Sequence, residues 1–411
     1  MLFAAWSGLN RSMTENARPV TPKQLAWLDH QLPTWVAEGL IADSAAAALR
    51  ARYVATRSLN LARLLLSLGS AFVGVGLIWL VATNLDEISP QSRFSTVTVL
   101  WLGVTAASEV LAARRAHAEA AGPSPVVGAL RGLSALGYGA VVFQAAQSLQ
   151  VPAYEPELLA AWGLGALLYA YACGGVAPLL VGVTVTTTWL IWTSVEQVDS
   201  PLALVLAMLV GGLVATALGV LHDARWRPMF AGAWRIAGAI LVLSGLFGAA
   251  LPSVGPEGFG WTTLMVGALI GSVALAAAAW LASRGSARGE LAVPMLALPL
   301  ATLLVLWDPA LPDRGVVSGE AWLSALVSVA TYVVAAGSVA VLGSLRDSTG
   351  LTLVATAALV IFTTVQSFAV FAPILSGATL FLLLGAILLA TGYFFDRARR
   401  VLAGNLGGAP S

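Results

Sequence analysis

Apolar stretches of bilayer-crossing length recur twelve times along this 411-residue chain, and the basic residues between them fall on alternate sides. The stretches lie at roughly 64–83, 95–113, 126–148, 158–174, 176–193, 201–221, 233–251, 260–282, 291–307, 320–342, 351–371 and 374–395. Each approaches the ~20 residues that a helix needs to cross hydrocarbon. In lipid every backbone N–H and C=O has to find its partner within the segment, which makes these helices and not strands. Hydrophobic residues make up 58% of the chain and charged residues 10%, a composition that excludes an ordinary soluble domain. The expected fold is therefore an all-α polytopic membrane bundle of about twelve helices over residues 61–398, with a short tail at 399–411.

Charge sets the expected orientation. With the N-terminus in the cytosol, the inner loops carry Arg114 and Arg115, then Arg225, Arg227 and Arg235, then Arg284 and Arg288, then Arg346, and the tail carries Arg397, Arg399 and Arg400. The outer loops hold Asp86, Glu87, Glu155, Glu157, Glu196, Asp199, Glu257, Asp308, Asp313 and Glu320 against the basic residues Arg93 and Arg314. Basic residues resist translocation, so both termini are expected on the cytosolic side of a cell inner membrane. Trp79, Trp189, Trp192, Trp261, Trp307 and Trp322 fall near the outer ends and Trp226, Trp234 and Trp280 near the inner ends, where amphipathic indoles prefer to sit. The windows at 158–174 and 291–307 are short, and the second contains Pro294 and Pro299, so each is open to a tilted or re-entrant reading. Losing one alone would break the charge alternation, which argues for keeping both.

The first sixty residues differ in kind. Residues 1–20 are expected to be disordered, and 21–60 to form a small cytosolic helical hairpin. Thr21, Pro22 and Gln24 resemble a capping-box start with proline at the first helical position. Leu25, Leu28, Leu32, Trp35 and Val36 then recur at helical spacing, with Pro33 expected to kink or divide the helix. Gly39 suits a left-handed cap, and Asp43 or Ser44 can open a second helix.

Here the residues resemble a bacterial membrane-protein family defined by domain of unknown function 2157. The resemblance rests on Trp35, Glu38-Gly39-Leu40-Ile41 and Arg52-Tyr53, then Gly74-Val75-Gly76 leading to Val81-Ala82-Thr83-Asn84 and Asp86-Glu87-Ile88-Ser89. Leu85 stands where the family has tryptophan. Further on, Tyr138-Gly139, Gln147 and Trp162 are similar to the family pattern, with Leu149 at a usual tyrosine. The resemblance covers roughly residues 25–200 and marks Asn84 and Gln147 as family positions. It implies a membrane location and no particular chemistry.

The candidate site residues are those whose polarity lipid makes costly. Glu109 and Arg131, expected near one level in adjacent antiparallel helices, form a candidate ion pair. A charge at depth costs on the order of 2.5–3.5 kcal/mol on insertion scales, so such residues pair, snorkel or face a cavity. The pair reads either as a proton or anion site or as a structural clip. Gln144 and Gln147 share a helix face, and Gln366 with Thr363, Thr364 and Ser367 forms a second polar group. These line a substrate path or bond neighbouring helices. Gly128-x-x-x-Gly132 and Gly267-x-x-x-Gly271 are candidate close-approach sites.

Enzymatic function is not expected. The three histidines, His30, His117 and His222, have no spacing that holds a metal, and no catalytic or phosphate-binding motif occurs. His222-Asp223 reads as a solvated helix end, and Cys173, the single cysteine, as a packing residue beside Gly174 and Gly175. No cofactor and no nucleic-acid partner is expected, since the basic residues lie in topology-setting loops and not in an exposed aromatic-interleaved patch. Two readings of function follow. One is a permease-like or lipid-handling transporter, and the other a non-transporting scaffold or assembly factor that docks a protein partner through residues 21–57. Membrane lipids are partners in both.

Overall fold

The computed structural model describes residues 18–20, 22–55, 89–118, 124–223, 228–251, 254–307 and 319–371, with isolated positions between 65 and 76. Among these residues the chain forms twelve helices and one pair of three-residue strands. Nine of the helices are long and apolar enough to cross a membrane. The predicted span at 374–395 and all but isolated positions of that at 64–83 lie outside the described residues, as do Asn84, residues 1–17 and the 399–411 tail.

The N-terminal unit holds β1 (Arg18–Val20), α1 (Pro22–Ala37), α2 (Asp43–Ala51) and β2 (Tyr53–Ala55). The strands pair in parallel, with Arg18 opposite Tyr53 and Val20 opposite Ala55, so the helical hairpin is the crossover that joins them. The two helices fall where the sequence puts them, and Pro33 does not divide α1. Gly39 adopts φ +72°, the left-handed conformation in which a side chain is strained. Asp43 is the first helical residue, and Ala42 occupies the cap position without a side-chain bond. Leu32 is buried under the hairpin while Trp27, in edge contact with Trp35, stays exposed. Arg50 pairs with Asp29 and donates to the Tyr53 carbonyl, tying α2 to α1 and β2.

The bundle follows as α3 (Pro90–His117), α4 (Pro125–Ser148), α5 (Glu157–Cys173), α6 (Val176–Gln197), α7 (Pro201–Leu221), α8 (Pro228–Ala249), α9 (Thr263–Ala282), α10 (Ser286–Leu306), α11 (Gly319–Leu345) and α12 (Thr349–Phe371). Local chemistry explains the starts. Proline is the first residue of α3, α4, α7 and α8, where its missing N–H costs nothing. Ser89, Ser124 and Thr262 accept from the backbone N–H three residues on. The short window at 158–174 is a 17-residue helix that ends in left-handed Gly174. The proline-bearing window at 291–307 is one continuous helix through both Pro294 and Pro299.

Packing centres on α7, which is buried over 67% of its apolar window against 11% for α3. Its closest partner is α8. A Cβ on Gly212 would stand 3.0 Å from the Val242 backbone nitrogen, and one on Gly238 would stand 2.9 Å from that of Thr216, so the two backbones meet at facing glycines. Around this crossing Leu206 and Leu209 of α7, Leu243 and Leu246 of α8, Val305 of α10 and Phe362 of α12 form the main core. The Tyr332 ring of α11 stacks on Phe362 at 3.7 Å between centroids. Three of the four glycines singled out from spacing are not at such contacts: among the described residues nothing stands within 4 Å of a Cβ on Gly128, Gly267 or Gly271. Spacing alone fails there because it does not tell which face a helix turns to its neighbour.

Candidate functional site

The deepest charge in the α3–α6 part of the bundle is a two-helix clamp. Antiparallel α3 and α4 bring Glu109 and Arg131 together: Arg131 Nε donates to Glu109 Oε1 at 2.9 Å and Nη2 to Oε2 at 2.6 Å. Both carboxylate oxygens are thus engaged in the bidentate geometry that suits a guanidinium. Tyr169 of α5 donates to Oε1 at 2.8 Å, and Ser108 lies 3.0 Å from the Tyr169 hydroxyl. The strip continues along the α3–α4 contact, where Thr105 and Ser134 hydroxyls meet at 2.6 Å and the Trp101 indole donates to the Ser134 carbonyl. The Glu109 side chain keeps 41% of its surface exposed and Arg131 17%.

Next to the clamp, the family-like residues are packing devices. The Trp162 ring lies over Gly139 and the Tyr138 ring over Gly165, where a Cβ would collide with several ring carbons, among them Trp162 Cδ2 at 2.6 Å and Tyr138 Cζ at 2.7 Å. The Trp162 indole donates to the Ala135 carbonyl at 2.8 Å. Tyr138-Gly139 and Trp162 therefore interlock α4 with α5, which accounts physically for that part of the resemblance.

The three glutamines do not form one path. Gln144 donates to Gln147 at 2.9 Å on α4, as their spacing predicts. Gln366 is buried on α12, and its carbonyl oxygen has no partner among the described residues. It belongs to a different part of the bundle, because α12 packs on α8 and α11 whereas α4 packs on α3, α5 and α6. Thr363 and Thr364 spend their hydroxyls on Leu359 and Val360 carbonyls one turn back.

The larger charged cluster is one that the sequence reading missed. Four residues from α7–α8, α10 and α11 close a ring: Arg235 Nη2 to Asp223 Oδ2 at 2.9 Å, Arg235 Nε to Glu290 Oε2 at 2.7 Å, Arg346 Nε to Glu290 Oε1 at 2.5 Å, and Arg346 Nη1 to Asp223 Oδ2 at 2.7 Å. Glu290 is 4% exposed in its side chain and Arg235 11%. Burial pushes the Asp223 carboxyl up, but the bonds and charges of Arg235 and Arg346 outweigh it, and the group rests below the usual aspartate range. Arg235 and Arg346, expected in loops, are thus tied within the bundle end. The sequence did carry a signal: Asp223 and Glu290 are carboxylates on the side where basic residues collect.

His222 corrects the sequence reading too. It is no solvated helix end but 2% exposed. Its Nδ1 donates to the Leu218 carbonyl at 2.6 Å, and its Nε2 shares a hydrogen bond with the Tyr171 hydroxyl at 2.8 Å. The Trp234 indole donates to the same hydroxyl at 3.2 Å. Phe230 packs against both Tyr171 and His222, so the fold of the α7–α8 junction over α5 removes the histidine from water. Asp223 turns the other way into the charged ring, as adjacent helical residues must. Cys173, half-buried, points back to the Ala170 carbonyl.

One helix touches both the clamp and His222. Tyr169 of α5 bonds Glu109 and Tyr171, two residues on, bonds His222. Together they make a polar layer at the end of the bundle where the sequence places its basic loops. No group of three or more potential metal ligands occurs among the described residues.

These features define the class: a multi-pass membrane protein whose described bundle is all-helical and held by interhelical ion pairs near one face. More narrowly, residues 33–178 match the family described as predicted membrane protein (DUF2157), in line with the resemblance read from residues 25–200. The matched segment takes in the end of α1 and all of α2, the Glu109–Arg131 clamp and the Tyr138–Trp162 interlock, and it ends before the four-residue ring. Comparison with curated proteins gives no match, and neither does comparison with solved structures.

Proposed function

We propose that this protein is a non-enzymatic membrane scaffold of the bacterial inner membrane, with both termini in the cytosol and the N-terminal β–α–α–β unit as its docking module. One observation carries the reading. The carboxylates at depth, Glu109 and Glu290, are each fastened at both oxygens to guanidinium groups on other helices. A carboxylate that carries protons or substrate through a membrane has to be released in each cycle. Releasing Glu290 would leave two guanidinium groups to share Asp223 alone and would untie α10 from α8 and α11, so the arrangement favours one fixed packing over alternating access. Arg235, Arg346 and Arg131 then double as the positive-inside residues that set orientation.

A second reading, a permease-like transporter working at Glu109 and Arg131, has its own support in the partial exposure of Glu109. Proton flux into liposomes carrying the purified full-length protein separates the two. The scaffold reading expects flux equal to protein-free liposomes for wild type and for Glu109→Gln. Flux that is present in the wild type and lost in a folded Glu109→Gln variant overturns it in favour of transport.

A further inference from the structure

Not every arginine at the basic end is spoken for by a carboxylate. At the tight turn between α9 and α10, Arg284 makes no hydrogen bond or ion pair among the described residues, and both Arg284 and Arg288 are exposed. Arg288 folds back over the end of α9: its Nε donates to the Ser283 carbonyl at 3.2 Å, and its guanidinium lies 5.6 Å from the centre of the Trp280 ring. Its two Nη atoms remain without an acceptor among the described residues. Nearby Glu290 is committed to Arg235 and Arg346, so among the described residues the two positive charges of the turn have no carboxylate of their own.

The setting of these charges is that of a membrane interface. Trp280 is 38% exposed and Leu281 82% exposed in the last turn of a membrane-crossing helix. The exposed Trp280 and Leu281 side chains beside two guanidinium groups offer an anionic phospholipid an apolar contact next to positive charge for its phosphate. Both α9 and α10 pack on α7 while touching each other little, and at the turn between them Arg284 and Arg288 are exposed. The stack on Trp280 and the bond to Ser283 fix Arg288 before any ligand arrives, which lowers the ordering cost of binding.

We infer that the α9–α10 turn is a binding site for the phosphate of an anionic phospholipid, with Arg288 and Arg284 as the phosphate donors and Trp280 and Leu281 as the apolar seat. This site is independent of the scaffold reading and stands whichever way the flux experiment falls.

The test is titration of the full-length protein in detergent with phosphatidylglycerol, phosphatidylcholine or inorganic phosphate, read by native mass spectrometry. Phosphatidylglycerol is expected to bind preferentially, and Arg284→Gln/Arg288→Gln to weaken it roughly twenty-fold, about five-fold for each guanidinium. Arg114→Gln/Arg115→Gln, which removes the same charge at the same end, is expected to leave it unchanged. Arg288→Lys keeps the charge but not the stacked fork and is expected to weaken binding partially. Equal weakening by the two double variants would assign the affinity to diffuse charge and overturn the site. So would full retention in Arg284→Gln/Arg288→Gln, or displacement of the lipid by inorganic phosphate at equal concentration.

Discussion

The two charged clusters solve one problem in different ways. In the α3–α4 clamp a single guanidinium meets a single carboxylate near the bundle surface, with Tyr169 and Ser108 filling the remaining lone pairs. In the ring at the α7–α11 end, two guanidinium groups and two carboxylates from three separate stretches of chain neutralise one another around Glu290, which has almost no contact with solvent. A surface pair can relax by snorkelling when one partner is lost. The ring has less room to do so, since Glu290 and Arg235 are shielded from water and the two guanidinium groups left behind would share one carboxylate. The difference implies that the clamp is locally tunable whereas the ring is a fixed joint among α8, α10 and α11.

The sharpest way to break this contrast is to remove the centre of the ring. Glu290→Gln leaves Arg235 and Arg346 to share Asp223, and is expected to cost about 3–5 kcal/mol, the range for breaking a buried pair from one side. Thermal unfolding of the detergent-solubilised protein measures it. A loss no larger than that of the clamp variant below would show that the ring is wetter or looser than its exposure indicates.

Glu109→Gln comes next. With Glu109 41% exposed and Arg131 17% exposed, the expected loss is smaller, about 1–2 kcal/mol, between surface and buried pairs. The double variant Glu109→Gln/Arg131→Gln is expected to recover part of that loss, because no unpaired charge then remains. Losses that simply add would mean that the two side chains act separately and that the 2.6 Å contact contributes little.

The two clusters were also unequally legible in the sequence. Glu109 and Arg131 stand out because each interrupts an apolar window, and antiparallel neighbours at matching depth are enough to pair them. Gln144 and Gln147 follow from helical spacing alone. The ring escapes the same logic because Asp223, Glu290 and Arg346 sit just outside the windows, where charge looks like ordinary loop polarity, and because pairing them needs the mutual placement of four helices far apart in sequence. His222 was misread for a related reason: its burial comes from Tyr171, Phe230 and Trp234 on other helices, not from its neighbours. Strands β1 and β2 were missed because three residues show no alternation. By contrast, the spans among the described residues, the Pro22 start and the Gly39 turn are local properties, and they appear where the sequence puts them.

Asp223 offers the smallest effect and the finest probe of the ring. Its folded-state carboxyl lies below the ordinary value, so its contribution to stability is fully present above the unfolded value of about 3.9 and is lost as pH falls through the folded value. The difference in unfolding temperature between wild type and Asp223→Asn is therefore expected to hold constant from neutral pH down to about 5 and then to shrink as the wild-type carboxylate protonates. Since the side chain is 33% exposed, solvent screening keeps that difference below the loss in Glu290→Gln. A gap that instead widens on acidification would mean that Asp223 is held as the neutral acid. The two arginines would then depend on Glu290 alone, and the ring would reduce to a three-residue bridge centred on one carboxylate.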